Sequence, residues 1–387
     1  MGNIIIPLGQ AIIVDDVGWF WGDDERMKNG SARSGMPRFH TPDDLHALDA
    51  VAKGLGIKIG CSLVLGEWDK NNRLRGVPHV TPDEDGWDVK SNIDMDYANA
   101  YFEALNGSEN LEFYLHGLMH AYYINGKLHT ARQYYPTVFD ENGNDIGFTW
   151  LPPEEFENMV KLFLDIYSDW GFTKEIKTFV SPCGCRGGID DEGNIAYAKV
   201  LRKYGIEYWA NGWMNYDEYV GTIEGLITSK GRCIAPWNAY GINPKYLEPL
   251  DGENIDTHLG GHLANFIRIN PEDNFEYTDA WVKHFRENYD KFGSMLSVDN
   301  AESSSQSFYK KFAKLKKTSD GYVIDLSEVD AIEAPGKKNE FFVSLRNSVK
   351  PKSAIGGSIA LYQEREGYKT YKIVRCGSAE VRLVTKE

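Results

Sequence analysis

Apolar runs of strand length alternate with segments of helical periodicity along residues 1–302. The strand-like runs span 4–14, 57–65, 111–115, 176–180, 207–210, 231–235 and 254–259. The helical patterns between them span 42–54, 94–104, 152–170, 194–204 and 278–292. One helix has a clear start, because Thr41 can cap it and Pro42 suits its first turn. Alternating strands and helices predict a parallel sheet, so we expect an α/β fold built as a (β/α) barrel, complete or distorted.

The pattern changes after residue 302. The run SSSQS at 303–307 is typical of a linker, and a basic helical stretch follows at 308–317. Short strand-like runs then span 322–326, 340–345, 358–362, 368–374 and 380–384. Turn signals separate these runs, as expected of a small β-sandwich or barrel. The sequence therefore predicts a barrel domain at 1–302 and a small all-β C-terminal domain at 303–387.

The composition is that of an acidic globular protein. Of the 387 residues, 42% are hydrophobic and 26% are charged, which excludes a disordered chain, a collagen-like fibre and a small disulfide scaffold. No apolar stretch approaches the ~18 residues of a membrane span. The net charge of −15 argues against a nucleic-acid partner, which needs clustered Lys and Arg. Residues 303–387 carry +6 and residues 1–302 carry −21. We therefore expect either that the two parts attract each other or that the C-terminal part docks onto an acidic surface or a glycan.

The cysteines and the first residues bear on the compartment. The five cysteines are scattered and odd in number, which predicts free thiols in a reducing environment rather than a disulfide framework. The opening MGNIIIPLGQ lacks the basic start and the small-residue cleavage site of a secretory signal. We therefore expect a cytoplasmic protein. No feature of the sequence sets an oligomeric state.

Two carboxylates follow the first strand-like run, where Asp15 and Asp16 come directly after Val14. Active sites of (β/α) barrels gather at the C-terminal ends of the strands, so this pair is a candidate for chemistry. Adjacent strand residues point to opposite sides, but a twist at the strand end can bring both acids to one site. The alternative is that an aspartate caps a turn or a helix here.

A histidine pair ends the third strand-like run. His116 and His120 are separated by Gly-Leu-Met, and this H-x-x-x-H spacing puts two imidazoles on one face of a turn. Together with Asp16 they form an Asp/His/His set that leaves a divalent ion an open position, as in catalytic zinc sites. Asp15 would then be free to act as general base. The alternative is two polar residues that cap a helix.

A second H-x-x-x-H, from His258 to His262, follows the last strand-like run of the barrel. One metal ion does not need five ligands, so one of these histidines is a candidate general acid. His258 is favoured, because it is closer to the predicted strand end. The alternative is a Gly-rich turn with a buried structural histidine. The tight loop after the fourth run leads to Arg186, which is a candidate to orient Asp15.

In order and spacing these features resemble the polysaccharide deacetylase (NodB-homology) superfamily over most of residues 1–302. The resemblance implies a distorted seven-stranded (β/α) barrel and a divalent metal ion, usually zinc. It implies that Asp15 is the base and that a late histidine, His258 or His262, is the acid. The implied metal ligands are Asp16, His116 and His120.

The sequence departs from the pattern of this superfamily in several places. Val17-Gly18 stands where Gly-Pro is usual after the Asp pair, and Gly117 replaces the Ser or Thr of H-[ST]-x-x-H. Arg186 follows the proline loop, whereas the pattern has an arginine before it. The chain therefore resembles a divergent branch, and the identity of the substrate does not carry over.

Aromatic residues near the strand ends suit a carbohydrate. The chain holds 10 Trp and 22 Tyr, and aromatic faces stack on the apolar C–H surface of sugar rings. The candidate substrate contacts are Trp19, Trp21, Pro182 and Trp213. We therefore expect a metal-dependent hydrolase that removes an acyl group, N- or O-acetyl, from a carbohydrate.

Two other functions are compatible with the sequence. A glycoside hydrolase on a related barrel would pair Asp15 with another carboxylate; the candidates are Asp190, Asp191 and Asp256. A non-catalytic carbohydrate-binding protein with a decayed site would keep the aromatic contacts without turnover.

Overall fold

The computed structural model describes residues 2–22, 33–81, 94–210, 219–236, 239–247 and 256–386. The strands before residue 300 are β1 (Ile4–Ile5), β2 (Leu8–Val17), β3 (Ile59–Val64), β4 (Leu111–Gly117), β5 (Tyr122–Ile124), β6 (Lys127–Thr130), β7 (Thr137–Phe139), β8 (Asp145–Phe148), β9 (Thr178–Val180), β10 (Tyr208–Ala210), β11 (Val220–Ile223), β12 (Leu226–Ser229), β13 (Gly231–Cys233), β14 (His258–His262) and β15 (Ser294–Leu296). The hairpins β5–β6, β7–β8 and β11–β12 lie outside the predicted strand runs.

A ten-stranded sheet carries most of these strands, in the order β11, β12, β10, β9, β4, β3, β2, β14, β13, with β15 also paired to β2. All of its pairings are parallel except that of β11 with β12. The predicted parallel sheet is thereby confirmed within a mixed α/β fold. β12 and β13, near opposite ends of this order, are separated by Lys230 alone. Closure into a seven-stranded barrel stays a prediction.

Helices alternate with the strands along the chain. They are α1 (Pro42–Leu55), α2 (Met95–Gly107), α3 (Pro153–Trp170), α4 (Glu192–Lys203), α5 (Leu263–Phe266), α6 (Thr278–Tyr289), α7 (Asn300–Phe312) and α8 (Ser327–Ala331), with 3-10 turns at Gly66–Trp68, Pro244–Tyr246 and Pro271–Asp273. The predicted start of α1 is confirmed, because the helix begins at Pro42 and Thr41 is its N-cap residue. The Thr41 backbone N–H donates to Asp44 Oδ2 at 2.8 Å. The helix ends at Gly56, whose φ of +72° suits a residue without a side chain.

The two faces of the sheet have different characters. Along β2, Ile12 and Val14 pack into one apolar core with helix residues such as Leu45. Because strand side chains alternate, Ile13 and Asp15 face the other side of the sheet. This second face, which we call the inner face, carries the candidate site.

Two antiparallel four-stranded sheets are built from the C-terminal part together with β1 from the start of the chain, in the orders β1-β18-β21-β20 and β16-β17-β22-β19. The additional strands are β16 (Lys314–Thr318), β17 (Gly321–Asp325), β18 (Glu340–Arg346), β19 (Lys350–Ile355), β20 (Gly357–Arg365), β21 (Tyr368–Arg375) and β22 (Glu380–Lys386). Ile324, Phe341 and Leu383 belong to one apolar core that the two sheets share. Each of the five strand runs predicted for this part corresponds to a strand.

The predicted helix at 308–317 is wrong in its second half, which forms β16. Lys314 pairs with Asp325 and Lys316 pairs with Val323 along β17. β16 is an edge strand, where lysines are common because they oppose edge-to-edge aggregation. A basic edge strand and a basic helix face have a similar composition, which explains the error.

The predicted linker at 303–307 is also wrong, because these residues lie in the middle of α7 and are buried. Ser303 Oγ donates to the Thr257 carbonyl oxygen at 3.1 Å, and Ser307 Oγ donates to the Gly9 carbonyl oxygen at 3.0 Å. Short side chains that bond to backbone let α7 lie directly against β2. The predicted domain boundary after residue 302 falls within this helix, and the division into two domains stays a prediction.

The cysteines form no disulfides with one another. Cys61 and Cys185 are buried, whereas Cys183, Cys233 and Cys376 are exposed. Within the described ranges, no helix combines the length and the apolar character that crossing a bilayer requires.

Replacing Gly9 by alanine is expected to destabilise the protein. A Cβ at Gly9 would lie 2.7 Å from the Ser303 carbonyl oxygen and 2.9 Å from Gln306 Cβ, so α7 would have to move away from β2. We expect a loss of about 1–3 kcal/mol in the free energy of unfolding, measured by urea denaturation. Gly107→Ala is the matched control, because a Cβ there meets nothing within 4 Å. Equal stability of the two variants would contradict the close approach of α7 to β2.

Candidate metal and catalytic site

The C-terminal ends of β2, β4 and β14 meet on the inner face of the sheet. β14 lies parallel to β2 with His262 opposite Asp15 and His258 opposite Ala11. β4 brings His116 to the same end of the sheet. The predicted strand-end residues Asp15, Asp16, His116, His120 and His262 therefore come together, whereas His258 lies elsewhere.

The backbone at Asp16 turns its carboxylate into the site. In a regular strand Asp15 and Asp16 would point to opposite faces. Asp16 has φ +61°, and the pairing of β2 with β3 shifts register between Val14 and Val17, as in a β-bulge. Asp16 is only 4% exposed, so its carboxylate is held inside the protein. This bulge is the twist at the strand end that was predicted to bring both acids to one site.

Asp16, His116 and His120 form a buried set. Nε2 of His116 lies 3.8 Å and Nε2 of His120 lies 3.7 Å from Asp16 Oδ1, and one ligand atom from each residue lies within 4.8 Å of the others. These spacings are too long for hydrogen bonds but suit atoms that surround one ion. Asp16 Oδ1 and His116 Nε2 are buried without a hydrogen-bond partner among the described residues. The donor chemistry and the missing partners both fit a divalent cation.

A backbone carbonyl fixes the orientation of His116. Its Nδ1 lies 2.8 Å from the carbonyl oxygen of Val180, at the end of β9. A carbonyl oxygen can only accept a hydrogen bond, so Nδ1 carries the proton. In the neutral imidazole, this tautomer leaves the lone pair of Nε2 on the side of Asp16, which is the form that binds a metal ion.

The turn that carries His120 is anchored by Gln133, a residue that was not among the predicted site residues. Gln133 Oε1 accepts the backbone N–H groups of Leu118, Met119 and His120 at 3.0, 3.2 and 3.1 Å. His120 has φ +45°, a left-handed conformation that is costly for a residue with a side chain. Burial lowers the pKa of His120 against the opposing charge of Asp16, which favours the neutral imidazole that a metal ligand requires.

β14 separates the two late histidines, because it begins at His258 and ends at His262. His262 Nε2 lies 4.0 Å from Asp16 Oδ2. His258 is 2% exposed, and its Nε2 lies 2.8 Å from Asn300 Oδ1 of α7. Ile13 lies opposite Gly260, midway along β14 between the two histidines, and belongs to a small apolar cluster of the inner face.

The preference for His258 over His262 is therefore wrong in its geometry. It rested on a strand predicted to end near residue 259, whereas the observed strand starts at His258 and runs four residues further. The alternative of a buried structural histidine describes His258. His262 occupies the strand end beside the carboxylates.

The loop after β9 packs against the same site. Pro182 is buried, and its Cγ would lie 3.2 Å from a Cβ placed on Gly117. Burial, and then the charge of Arg132, lowers the pKa of Arg186. A substrate contact by Pro182 and the orientation of Asp15 by Arg186 both stay predictions.

The predicted aromatic contacts differ in accessibility. Trp19 is fully buried, with the Arg33 guanidinium 4.2 Å from its ring centroid, so it cannot stack on a sugar and its predicted role is wrong. Trp21 is 41% exposed and meets Phe39 edge-on at 4.2 Å between ring centroids. These two rings form an accessible aromatic platform after β2. The third predicted tryptophan, Trp213, lies outside the described residues.

The three carboxylates that the glycoside hydrolase alternative would pair with Asp15 have other partners or face the solvent. Asp256 comes before β14 begins and pairs with Arg232 at 2.9 Å. Asp191 accepts a backbone N–H in its own loop, and Asp190 is exposed. The paired-carboxylate alternative therefore has no geometric support from these residues.

Comparisons with known proteins concern the fold. No protein-family profile matches the chain, and a search of curated proteins finds no match. The crystal structure of Agd3, a carbohydrate deacetylase, is similar with a TM-score of 0.50 and 10% sequence identity over 97% of this chain, which spans 65% of the length of Agd3. A 4-alpha-glucanotransferase from Thermococcus litoralis gives a TM-score of 0.37 and 12% identity over 76% of this chain and 39% of that one. The chain thus has a fold similar to that of a carbohydrate deacetylase.

The burial of His258 predicts a pH dependence of stability. Burial lowers its pKa from 6.5 to about 4, although Asn300 and the charge of Asp15 act in the opposite direction. As the pH falls below 6.5, His258 is therefore protonated in the unfolded chain before it is protonated in the folded protein. This difference lowers the free energy of unfolding by on the order of 3 kcal/mol by pH 4.

We expect His258→Gln to show a smaller loss of unfolding free energy between pH 6.5 and 4 than the unchanged protein, measured by urea denaturation. His46→Gln is the control, because that side chain is 52% exposed. Glu112, which accepts the Asn300 backbone N–H, titrates in the opposite sense, since burial raises its pKa to about 7. The comparison is therefore between variants, and identical pH profiles for all three proteins would contradict the prediction.

Proposed function

We propose that the protein is a metal-dependent hydrolase that removes an acyl group, N- or O-acetyl, from a carbohydrate. The observation that carries the proposal is the buried Asp16/His116/His120 set, with Asp15 and His262 on neighbouring strands beside it. The fold similarity to Agd3 supports a carbohydrate substrate. The order of these residues in the chain supports a place in the NodB-type deacetylase group.

The same proposal includes the predicted distorted seven-stranded barrel. β12 pairs with β10, and β13 pairs with β14. If β12, Lys230 and β13 act as one continuous strand, they join the two ends of the sheet and complete the ring with β2, β3, β4, β9, β10 and β14. This arrangement would place all the proposed catalytic residues at one mouth of the barrel.

Asp16, His116 and His120 would hold the ion, and Zn²⁺ is the proposed metal, since one carboxylate and two imidazoles suit zinc and related divalent metals. When bound there, a divalent ion supplies polarisation of the acyl carbonyl and acidification of a water molecule. The chain contributes the buried ligand positions and the tautomer of His116 that the Val180 carbonyl fixes.

Asp15 is the proposed general base. Its Oδ1 is buried without a hydrogen-bond partner among the described residues, and it lies on the inner face next to Asp16. A carboxylate in this position can take the proton from the attacking water as the new C–O bond forms. The adjacent Asp16 stays with the ligand set, so the two acids have separate roles.

His262 is the proposed general acid. It faces Asp15 across the β2–β14 pair, and its side chain is 16% exposed, so it borders both the carboxylates and the solvent. It can give a proton to the departing nitrogen or oxygen as the acyl C–N or C–O bond breaks. The products are then the free carboxylic acid and an amino or hydroxyl group on the sugar.

The aromatic platform of Trp21 and Phe39 is the proposed sugar contact. Both rings are partly exposed; Trp21 comes four residues after β2, and Phe39 packs against it from the segment before α1. Stacking there would orient a sugar ring next to the acyl group that reacts.

The roles of Asp15 and the ligand set are separable by mutation. We expect about one zinc ion per chain in the unchanged protein, retained by Asp15→Asn and lost by His116→Ala, measured by elemental mass spectrometry. Acetate release from acetylated sugars should fall roughly 10²–10⁴-fold in Asp15→Asn, because the base is lost, and should vanish in His116→Ala.

His46→Ala is the matched control, because His46 is exposed on α1. Zinc retained in full by His116→Ala, or acetate release undiminished in Asp15→Asn, would contradict the assigned roles. Tight glycan binding without any product would favour the non-catalytic alternative.

The role of His262 as acid depends on the leaving group. His262→Gln should lower acetate release from an N-acetylated sugar roughly 10²–10⁴-fold, because the amine leaves poorly without a proton. An aryl acetate, whose phenolate leaves unprotonated, should be hydrolysed almost as fast as by the unchanged protein. His258→Gln should retain activity on both substrates at neutral pH. Equal losses on both substrates in His262→Gln would instead indicate a different role.

A further inference from the structure

Three backbone N–H groups of the turn between His116 and His120 depend on one side chain from elsewhere in the sequence as their hydrogen-bond acceptor. Gln133 is fully buried, and its Oε1 accepts three consecutive backbone N–H groups, those of Leu118, Met119 and His120. These residues are themselves buried, so water is not an alternative acceptor. Without Gln133 the three amides would be left unsatisfied in the interior, which is costly.

Gly117 and Pro182 pack closely beside the Gln133 amide group. A Cβ placed on Gly117 would lie 2.8 Å from Gln133 Oε1 and 3.2 Å from Pro182 Cγ. The amide group of Gln133 therefore occupies the volume that a side chain at position 117 would need. Gly117 and Gln133 are complementary: the absence of one side chain makes room for the other.

We propose that Gln133 is a positioning residue that holds His120 in the orientation of a metal ligand. His120 has φ +45°, and its own backbone N–H is one of the three that Gln133 accepts. The hydrogen bonds hold this left-handed backbone in place, which directs the imidazole toward Asp16. This inference rests on the proposed function, because it assigns the ligand role to His120.

Gln133→Met tests the proposal, because methionine is similar in size and has no oxygen acceptor. We expect zinc affinity to fall roughly 10–100-fold, measured by competition with a chromophoric chelator. Gln306→Met is the matched control: Gln306 is also buried and accepts a backbone N–H, from Phe342 at 2.8 Å, but it lies on α7. Gln133→Glu keeps an acceptor and should bind zinc within about tenfold of the unchanged protein. Unchanged zinc affinity in Gln133→Met would overturn the proposal.

Amide hydrogen exchange of the metal-free protein separates this inference from the proposed function. Peptides covering 117–121 should exchange faster in Gln133→Met than in Gln306→Met, because only the first loses the acceptor of these amides. Equal protection in the two variants would overturn the anchoring role, whether or not zinc binds. If the unchanged protein binds no zinc but Gln133→Met loses amide protection, the proposed function is overturned and the anchoring role of Gln133 is kept.

A paired substitution covers the case in which Gln133→Met does not fold. Gln133→Ala opens the space beside Gly117, and Gly117→Ser in that background supplies a hydroxyl acceptor from the other side. We expect the double variant to recover part of the zinc affinity that Gln133→Ala loses. Equal affinity of the single and double variants would count against the anchor.

Discussion

The left-handed backbone at Asp16 is the constraint on which the candidate site depends. A regular strand would send Asp15 and Asp16 to opposite faces, and only one of them would reach the histidines. A bulge with φ +61° at Asp16 places both on the inner face. Such a conformation costs on the order of 1–3 kcal/mol and persists only where the surroundings enforce it. Here the next turn is fixed by Trp68, whose indole N–H donates to the Gly18 carbonyl oxygen at 2.6 Å.

Strained backbone recurs around the same cluster, at His120 with φ +45° and at Cys183 with φ +57°. His120 and Cys183 each come three residues after a strand end, at Gly117 of β4 and Val180 of β9, where the sheet no longer dictates the direction of the side chains. The hydrogen bonds that the turn of His120 donates to Gln133 are the clearest case of a neighbour that enforces such a conformation. Strain at several strand ends is what allows residues from separate strands to point at one small volume.

The sequence predicted the parts of the structure that depend on local pattern. The alternation of strands and helices, the start of α1 at Thr41 and the strand-end acids follow from periodicity and capping. The serine run at 303–307 misled, because its hydroxyls bond to the backbone of β2 and of the segment before β14, which are distant in sequence. Gln133 escaped notice for the same reason, since nothing near it in sequence marks it as a partner of His120. The signal in the sequence was Gly117, which stands where the H-[ST]-x-x-H motif has a serine or a threonine.

The two H-x-x-x-H pairs show why spacing alone does not define a site. His116 and His120 are joined by a turn at the end of β4, and both imidazoles reach Asp16. His258 and His262 have the same spacing but lie on an extended strand, where four residues span about 13 Å. The strand carries one histidine down to the polar contacts of Asn300 and leaves the other at the carboxylates. The conformation of the intervening residues therefore decides whether two histidines meet at one place. In this chain one pair joins the candidate metal set, whereas the other is split between a buried contact with Asn300 and a strand end beside Asp16.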